Sequence, residues 1–145
     1  MTDKKLQATR LQRSITLPND VSTISQLNEF VDSVCEALDL DMGMVMKMNL
    51  AIEEAVVNVM DYAYPKGTSG DVSISAVADD EQLEFTITDS GTPFDPTAKT
   101  EVDVTLSAEE RQIGGLGIHL VRQIMDSVSY ERNGEYNILT LRKHI

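Results

Sequence analysis

The sequence predicts an α+β two-layer sandwich, with a mixed, mostly antiparallel sheet of about five strands and about three helices on one face. Three features of the 145 residues predict it. Two helix-period segments stand together after a short first strand. Period-2 alternation then appears twice in succession, and twice more after a helix that starts in glycines. Helices grouped between long antiparallel runs of strand are the mark of a sheet covered by helices.

Each element follows from its residues. Ser14 to Leu17 alternates weakly and ends at Pro18, a short first strand. Asn19 or Asp20 can cap a helix running to about Leu38, with Ile24, Leu27, Phe30, Val31, Val34 and Leu38 on one face. Asp39 to Asp41 is a short connection. The helix expected from Met42 to about Ala63 is proline-free and apolar nearly all round. In it Val45, Met48, Ile52, Ala55, Val56, Val59 and Ala63 recur at helical steps and form one stripe. Glu54 and Asn58 are four apart and share another face, pointing away from that stripe, with Asp61 near them. Most such pairs face solvent. This pair, however, shares its face with Leu50, Ala51 and Val57, and so apolar a helix tends to be covered on more than one side. A carboxylate and an amide there can meet a ligand.

Lys66 to Asp71 is a loop rich in Gly and Ser. Val72 to Ala78 reads as a strand, Asp79-Asp80 as a turn, and Glu81 to Asp89 as a strand with Leu83, Phe85 and Ile87 on one side. Asp89 has the same parity and points inward at the strand's end. A carboxylate there costs several kcal/mol unless hydrogen-bonded or wet; capping the turn Ser90-Gly91 is the simpler role. Gly91 to Ile113 has little periodicity and is too long for a plain connector. Residues 92–113 are read as a lid, with a disordered insertion, or a short helix at Ser107 to Arg111, as the alternatives. Gly114-Gly115-Leu116-Gly117 opens a helix whose apolar positions are Leu116, Leu120, Ile124, Val121, Met125 and Val128. Glycines there admit a ligand close to the backbone, and amides at a helix start attract phosphate; a lid hinge is the alternative. Ser127 to Arg132 and Glu135 to Arg142 close the chain as a hairpin through Asn133-Gly134.

Composition bounds the function. The length fits a single domain over 1–145. No segment reaches the roughly 18 apolar residues of a membrane span. The first residues are polar and lack the apolar core of a signal peptide, so cytoplasmic location is the default. Cys35, the single cysteine, reads as a small buried hydrophobe. A net charge of −12 argues against binding nucleic acid or acidic membranes. It also requires that any polyphosphate be held by backbone amides, a metal ion or a few basic side chains. The phosphate-loop motif, the dinucleotide fingerprint, zinc spacings and the serine-hydrolase elbow are all absent.

Three segments occur in order: Glu54-Ala-Val-Val-Asn58, Asp89-Ser-Gly91-Thr-Pro-Phe-Asp95-Pro96 and Gly114-Gly-Leu-Gly117-Ile. Together they resemble the Bergerat-fold ATP-binding superfamily, and within it the bacterial anti-sigma-factor serine/threonine kinase branch, over nearly the whole chain. The resemblance implies a histidine-kinase-like ATPase domain using ATP and Mg²⁺. Asn58 matches the asparagine that holds Mg²⁺. Glu54 matches the general base, Asp89 the acceptor for the adenine amino group, and Gly91 the glycine beside the base. Gly115 and Gly117 match the phosphate-side glycines. Asp61, Phe94, Arg111, Gly114, Leu116 and Ile118 complete the implied ATP site. Asp61 stands where relatives often carry histidine. The basic lid residue expected just before the glycines is not in place; Arg111 is nearby and Lys99 is a second candidate. The implied activity is phosphorylation of a small anti-sigma-factor antagonist, with a sigma factor as a further partner and a homodimer left open. A non-catalytic ATP-dependent interaction switch and a detached histidine-kinase-type catalytic domain are the alternatives.

Overall fold

The computed structural model describes residues 9–64, 69–98 and 116–145. Strand β1 spans Leu11–Pro18. It is longer than the alternation suggests, because Leu11, Gln12 and Arg13 are held in the strand by antiparallel pairing with Ala78, Val77 and Ala76. Asp20 is the cap: its carboxylate accepts from the Ser22 amide at 2.9 Å and starts a short 3₁₀ turn, Val21–Thr23. Helix α1 follows as Ile24–Ala37. Leu38 caps its end, and Asp39 takes the left-handed φ of 57° that turns the chain. Asp41 then caps helix α2, Met42–Tyr62, through a 2.8 Å bond from the Met44 amide.

Strands β2 (Asp71–Ala78) and β3 (Gln82–Asp89), helix α3 (Leu116–Ile124), and strands β4 (Ser127–Asn133) and β5 (Tyr136–His144) complete the described elements. The sheet order is β1-β2-β3-β5-β4, and all four pairings are antiparallel. Burial alternates along β2, β3 and β5, so Ile74, Phe85, Ile87, Leu139 and Leu141 face the helices. The other side of the sheet carries half-buried Ser73, Ser75, Thr86, Thr88 and Thr140. From α2, Met48, Ile52, Ala55, Val56, Val59 and Ala63 enter the core, as expected; Val45 packs at its margin.

Two expectations shift. Val128 belongs to β4 and not to the preceding helix. Helix α3 stops at Ile124 because the Lys143 ammonium bonds the Ile124 carbonyl at 2.9 Å and the Asp126 amide bonds the Arg142 carbonyl at 2.9 Å, which draws the chain into the sheet. The hairpin loop is Gly134-Glu135, one residue later than Asn133-Gly134, since Asn133 pairs with Tyr136. Gly134 takes the first loop position at φ 62°, where glycine fits without strain.

The end of β3 is pinned to the end of α2. The Thr92 amide and hydroxyl both donate to the Ala63 carbonyl, at 2.7 and 3.1 Å. Gly91 lies so close that an added Cβ would stand 2.2 Å from that same carbonyl oxygen. The tyrosine just after α2 tightens the junction: the Tyr64 hydroxyl donates to the Asp71 carbonyl at 2.7 Å and accepts from the Ser90 amide at 3.0 Å.

Gly91→Ala is therefore expected to destabilise the fold by about 1–3 kcal/mol, because a backbone oxygen cannot swing aside as a side chain can. Thr92→Val, which keeps the amide bond and loses the hydroxyl bond, is expected to cost about 0.5–1.5 kcal/mol. Urea unfolding measures both. A Gly91→Ala protein as stable as the unaltered one would mean that this close approach does not exist in solution.

Candidate functional site

Asp89 ends β3, with Val72 of β2 opposite on one side and Asn137 of β5 on the other. Its parity puts it with the core, and it is 3% exposed. Two donors converge on its Oδ1: the Gly91 amide at 2.8 Å and the Asn137 side-chain amide at 2.9 Å. The predicted turn cap is thus present, and both of these bonds fall on Oδ1. Burial pushes the Asp89 carboxyl above its ordinary range, while Asn137, Gly91 and the Arg132 guanidinium pull it back.

Asn137 organises this corner. Its amide nitrogen also donates to the Thr92 carbonyl at 2.8 Å. Its Oδ1 accepts from the Phe94 amide at 3.2 Å, from Arg132 at 3.2 Å and from the Tyr130 hydroxyl. Arg132 also reaches the Gly91 carbonyl at 2.9 Å. One buried amide therefore fixes the whole segment from Asp89 to Phe94. No motif in the sequence points to Asn137, Arg132 or Tyr130. A signal existed for the first: Asn137 shares the inward parity of Leu139 and Leu141, the same reasoning that singled out Asp89.

Helix α2 brings the second group. Asn58 is 7% exposed, and its Nδ2 is buried without a hydrogen-bond partner among the described residues. The face expected to point away from the core is thus largely covered at Ala51 and Asn58, half-buried at Glu54 and Val57, and open at Leu50 and Asp61. The Thr92–Ala63 bonds join this helix to the Asp89 corner, and the Phe94 ring lies 5.4 Å from that of Tyr62. Asp89, Gly91, Phe94 and the end of α2 are therefore brought together. Gly91 has a reason of its own here, its contact with Ala63, whatever else it meets.

Helix α3 begins at Leu116 and Gly117. Ile118 is a core residue at 1% exposure, so its side chain packs inward and only its backbone is open to a ligand. Arg122 donates to the Thr97 carbonyl at 3.0 Å, which fastens the first residues after β3 to α3. Lys99, Arg111, Gly114 and Gly115 lie outside the described residues, as do the proposed helix at Ser107 to Arg111 and all of the proposed lid beyond Ala98.

The raised Asp89 carboxyl has a stability consequence. The folded state holds this proton more tightly than the unfolded chain. Its contribution is therefore full below the ordinary carboxyl range and is lost as pH rises through the folded value. In the free protein, Asp89→Asn, a neutral mimic able to keep both acceptor bonds, is expected to be at least as stable at pH 7. The unaltered protein should gain on it as pH falls towards 4. Thermal unfolding of the two proteins across that range reads the difference. A difference that moves the opposite way would mean that the carboxylate is net stabilised by its donors.

A family model described as a histidine kinase-like ATPase domain matches residues 17–143. The chain is 29% identical over 97 residues to the serine/threonine-protein kinase BtrW of Bordetella bronchiseptica, covering 67% of this chain and 68% of that protein. It is 34% identical over 85 residues to the serine-protein kinase RsbW of Listeria monocytogenes, covering 56% of this chain but only 54% of that protein. To the RsbW of Halalkalibacterium halodurans it is 26% identical over 123 residues, covering 82% and 75%. The crystal structure of the RsbU and RsbW domains of a Mycobacterium tuberculosis protein superposes with a TM-score of 0.65 at 14% identity, covering 92% of this chain and 32% of that one, which is a likeness of fold. With the matched model spanning residues 17–143, nearly the whole chain, the chain belongs to the histidine kinase-like ATPase domain family.

Proposed function

We propose that this chain is an ATP-binding anti-sigma regulatory factor that phosphorylates a serine or threonine of a small antagonist protein. The observation that carries the reading is Asn58, a buried amide whose Nδ2 has no partner among the described residues. Such a donor costs about 1–3 kcal/mol unless an acceptor satisfies it, and an oxygen of a bound nucleotide is a fitting acceptor. Asn58 would hold Mg²⁺ through its amide oxygen, and that ion would offset negative charge on the phosphates. The residues fit this use. Among the described residues no three His, Cys, Asp or Glu side chains converge to cage an ion, whereas Mg²⁺ is commonly held by one or two protein groups, phosphates and water.

Asp89 would accept a hydrogen bond from the adenine amino group, with Gly91, Asp61 and Phe94 beside the nucleotide. Glu54, one turn before Asn58 and half-buried, would act on the acceptor. It would take the proton of the substrate hydroxyl as that oxygen forms its bond to the γ-phosphorus. The bond from the γ-phosphorus to the bridging oxygen breaks, and ADP leaves. Leu116, Gly117 and the backbone of Ile118 at the start of α3, with Gly114, Gly115 and either Arg111 or Lys99, would face the phosphates, and residues 92–113 would close as a lid. The relatives named serine-protein kinase support the reaction. A sigma factor as second partner, a homodimer, cytoplasmic location and a single domain over 1–145 belong to the same reading. None of the helices among the described residues is long and apolar enough to cross a membrane. Asp61, exposed on the last turn of α2, is the one feature that favours a non-catalytic ATP-ordered switch, since it adds negative charge near the phosphates.

The test separates two roles on one helix. Asn58→Ala is expected to weaken Mg²⁺-dependent ATP binding and phosphotransfer together. Glu54→Gln is expected to keep ATP affinity and slow transfer by about 10²–10⁴-fold. Calorimetry with ATP and single-turnover transfer to a candidate antagonist read the two. Transfer at the normal rate by Glu54→Gln removes Glu54 as the base. ATP binding without transfer to any antagonist by the unaltered protein makes the switch the better reading.

A further inference from the structure

Among the described residues, the N-terminal half of α2 has a second face that no other element covers. Met42, Met46 and Leu50 recur at four-residue steps and so line up along the helix. They are 73%, 65% and 45% exposed, while Met48 and Ile52 of the same helix are fully buried. With Val45 they line a groove of about 790 Å³. Burying one such side chain is worth about 1.5–3 kcal/mol, and a contiguous apolar patch with a polar rim is the usual form of an interaction surface.

The rim is acidic and held in place. Asp32 and Glu53 both line the groove. The Asn49 amide donates to Asp32 at 2.8 Å, and the Asn28 amide donates to Glu53 and to Asn49, each at 3.2 Å, so an amide relay between α1 and α2 fixes both carboxylates. The groove continues into a second hollow of about 470 Å³ that shares Asp32, Met42 and Val45 and adds Glu36 and Asp39. Lys47 is the one basic side chain lining either hollow.

We propose that this face of α2 docks an amphipathic helix of a partner protein, one with an apolar stripe flanked by Lys or Arg. The apolar floor fits residues spaced i, i+4 and i+7 on such a helix, and methionine adapts to the side chains it meets. The acidic margin supplies charge complementarity, which steers association and selects the partner. A second copy of this chain fits poorly, because a two-fold contact would bring two acidic margins together. The surface occupies the opposite half of α2 from Asn58, and the inference does not depend on the ATP site.

The test uses the full chain and two synthetic helical peptides of about 18 residues, roughly five turns. One carries leucine on one face and lysine on the other; the second has glutamate for lysine. Fluorescence anisotropy at about 0.1 M salt is expected to give affinity at least about tenfold tighter for the lysine peptide. Met46→Ser combined with Leu50→Ser should weaken it by at least about tenfold at an unchanged melting temperature, since both side chains are exposed. Glu36→Lys, at an exposed position outside the core, should weaken it as well and supports the proposal even if the double variant folds poorly. The proposal is overturned if the lysine peptide does not bind, if the serine variant binds it normally, or if the glutamate peptide binds as tightly. Concentration-dependent dimerisation abolished by the serine variant would also overturn it, by giving the face to a second copy.

Discussion

The buried carboxylate of Asp89, held by the amide of Asn137, is the contact on which the geometry of the site depends. An ionised group at 3% exposure is tolerated only where donors are arranged around it, and here they come from its own turn and from the neighbouring strand. That requirement reaches outward. Asn137 must sit opposite Asp89, which needs β5 to insert between β3 and β4 in this register. The segment leaving β3 must bend at Gly91, which lets it press against the Ala63 carbonyl and ties the sheet to α2. An unfavourably buried group thus fixes a strand order, a turn and a helix position together. A site that keeps such a group gives up stability in the free protein for a polar acceptor aimed at a ligand.

Helix α2 divides its work along its length. Its core stripe runs from Met48 to Ala63 and fastens it to the sheet. Its C-terminal half carries Glu54 and Asn58 into the candidate nucleotide site. Its N-terminal half presents methionines to solvent beside fixed carboxylates. A helix this apolar needs partners on more than one side; the fold covers the C-terminal half and leaves the N-terminal half open among the described residues. The chain's charge of −12 gives the two halves different needs. Phosphates need a cation to approach the first, whereas the acidic rim of the second attracts one.

Much of the fold was legible because periodicity and caps are local. The α2 stripe, the alternation in β3 and the inward parity of Asp89 all appear as the residues imply. The misjudged boundaries have non-local causes. The N-terminal part of β1 has no alternation to read and is held by β2. Val128 leaves the helical pattern because Lys143 and Arg142, far along the chain, end α3. At the candidate site, spacing alone puts Glu54 and Asn58 on one helix face, and the structure buries Asn58 and half-buries Glu54 there. Asn137 shares the inward parity of Leu139 and Leu141, but its role exists only through contacts far along the chain, with Asp89 across 48 residues and with Thr92 and Phe94. Tyr130 gains its role through Asn137, and Arg132 through Asn137 and the Gly91 carbonyl, so neither parity nor spacing could single them out.

The central claim is that Asp89 offers a buried acceptor to the amino group of a purine. Replacing ATP with inosine triphosphate tests it most directly, because the change swaps that donor for a carbonyl acceptor and leaves ribose, phosphates and Mg²⁺ as they were. Calorimetry on the unaltered protein should give binding weaker by about 10-fold to 100-fold for inosine triphosphate, the effect of leaving a buried acceptor unpaired at about 1–3 kcal/mol. Equal affinity for the two nucleotides would contradict the account.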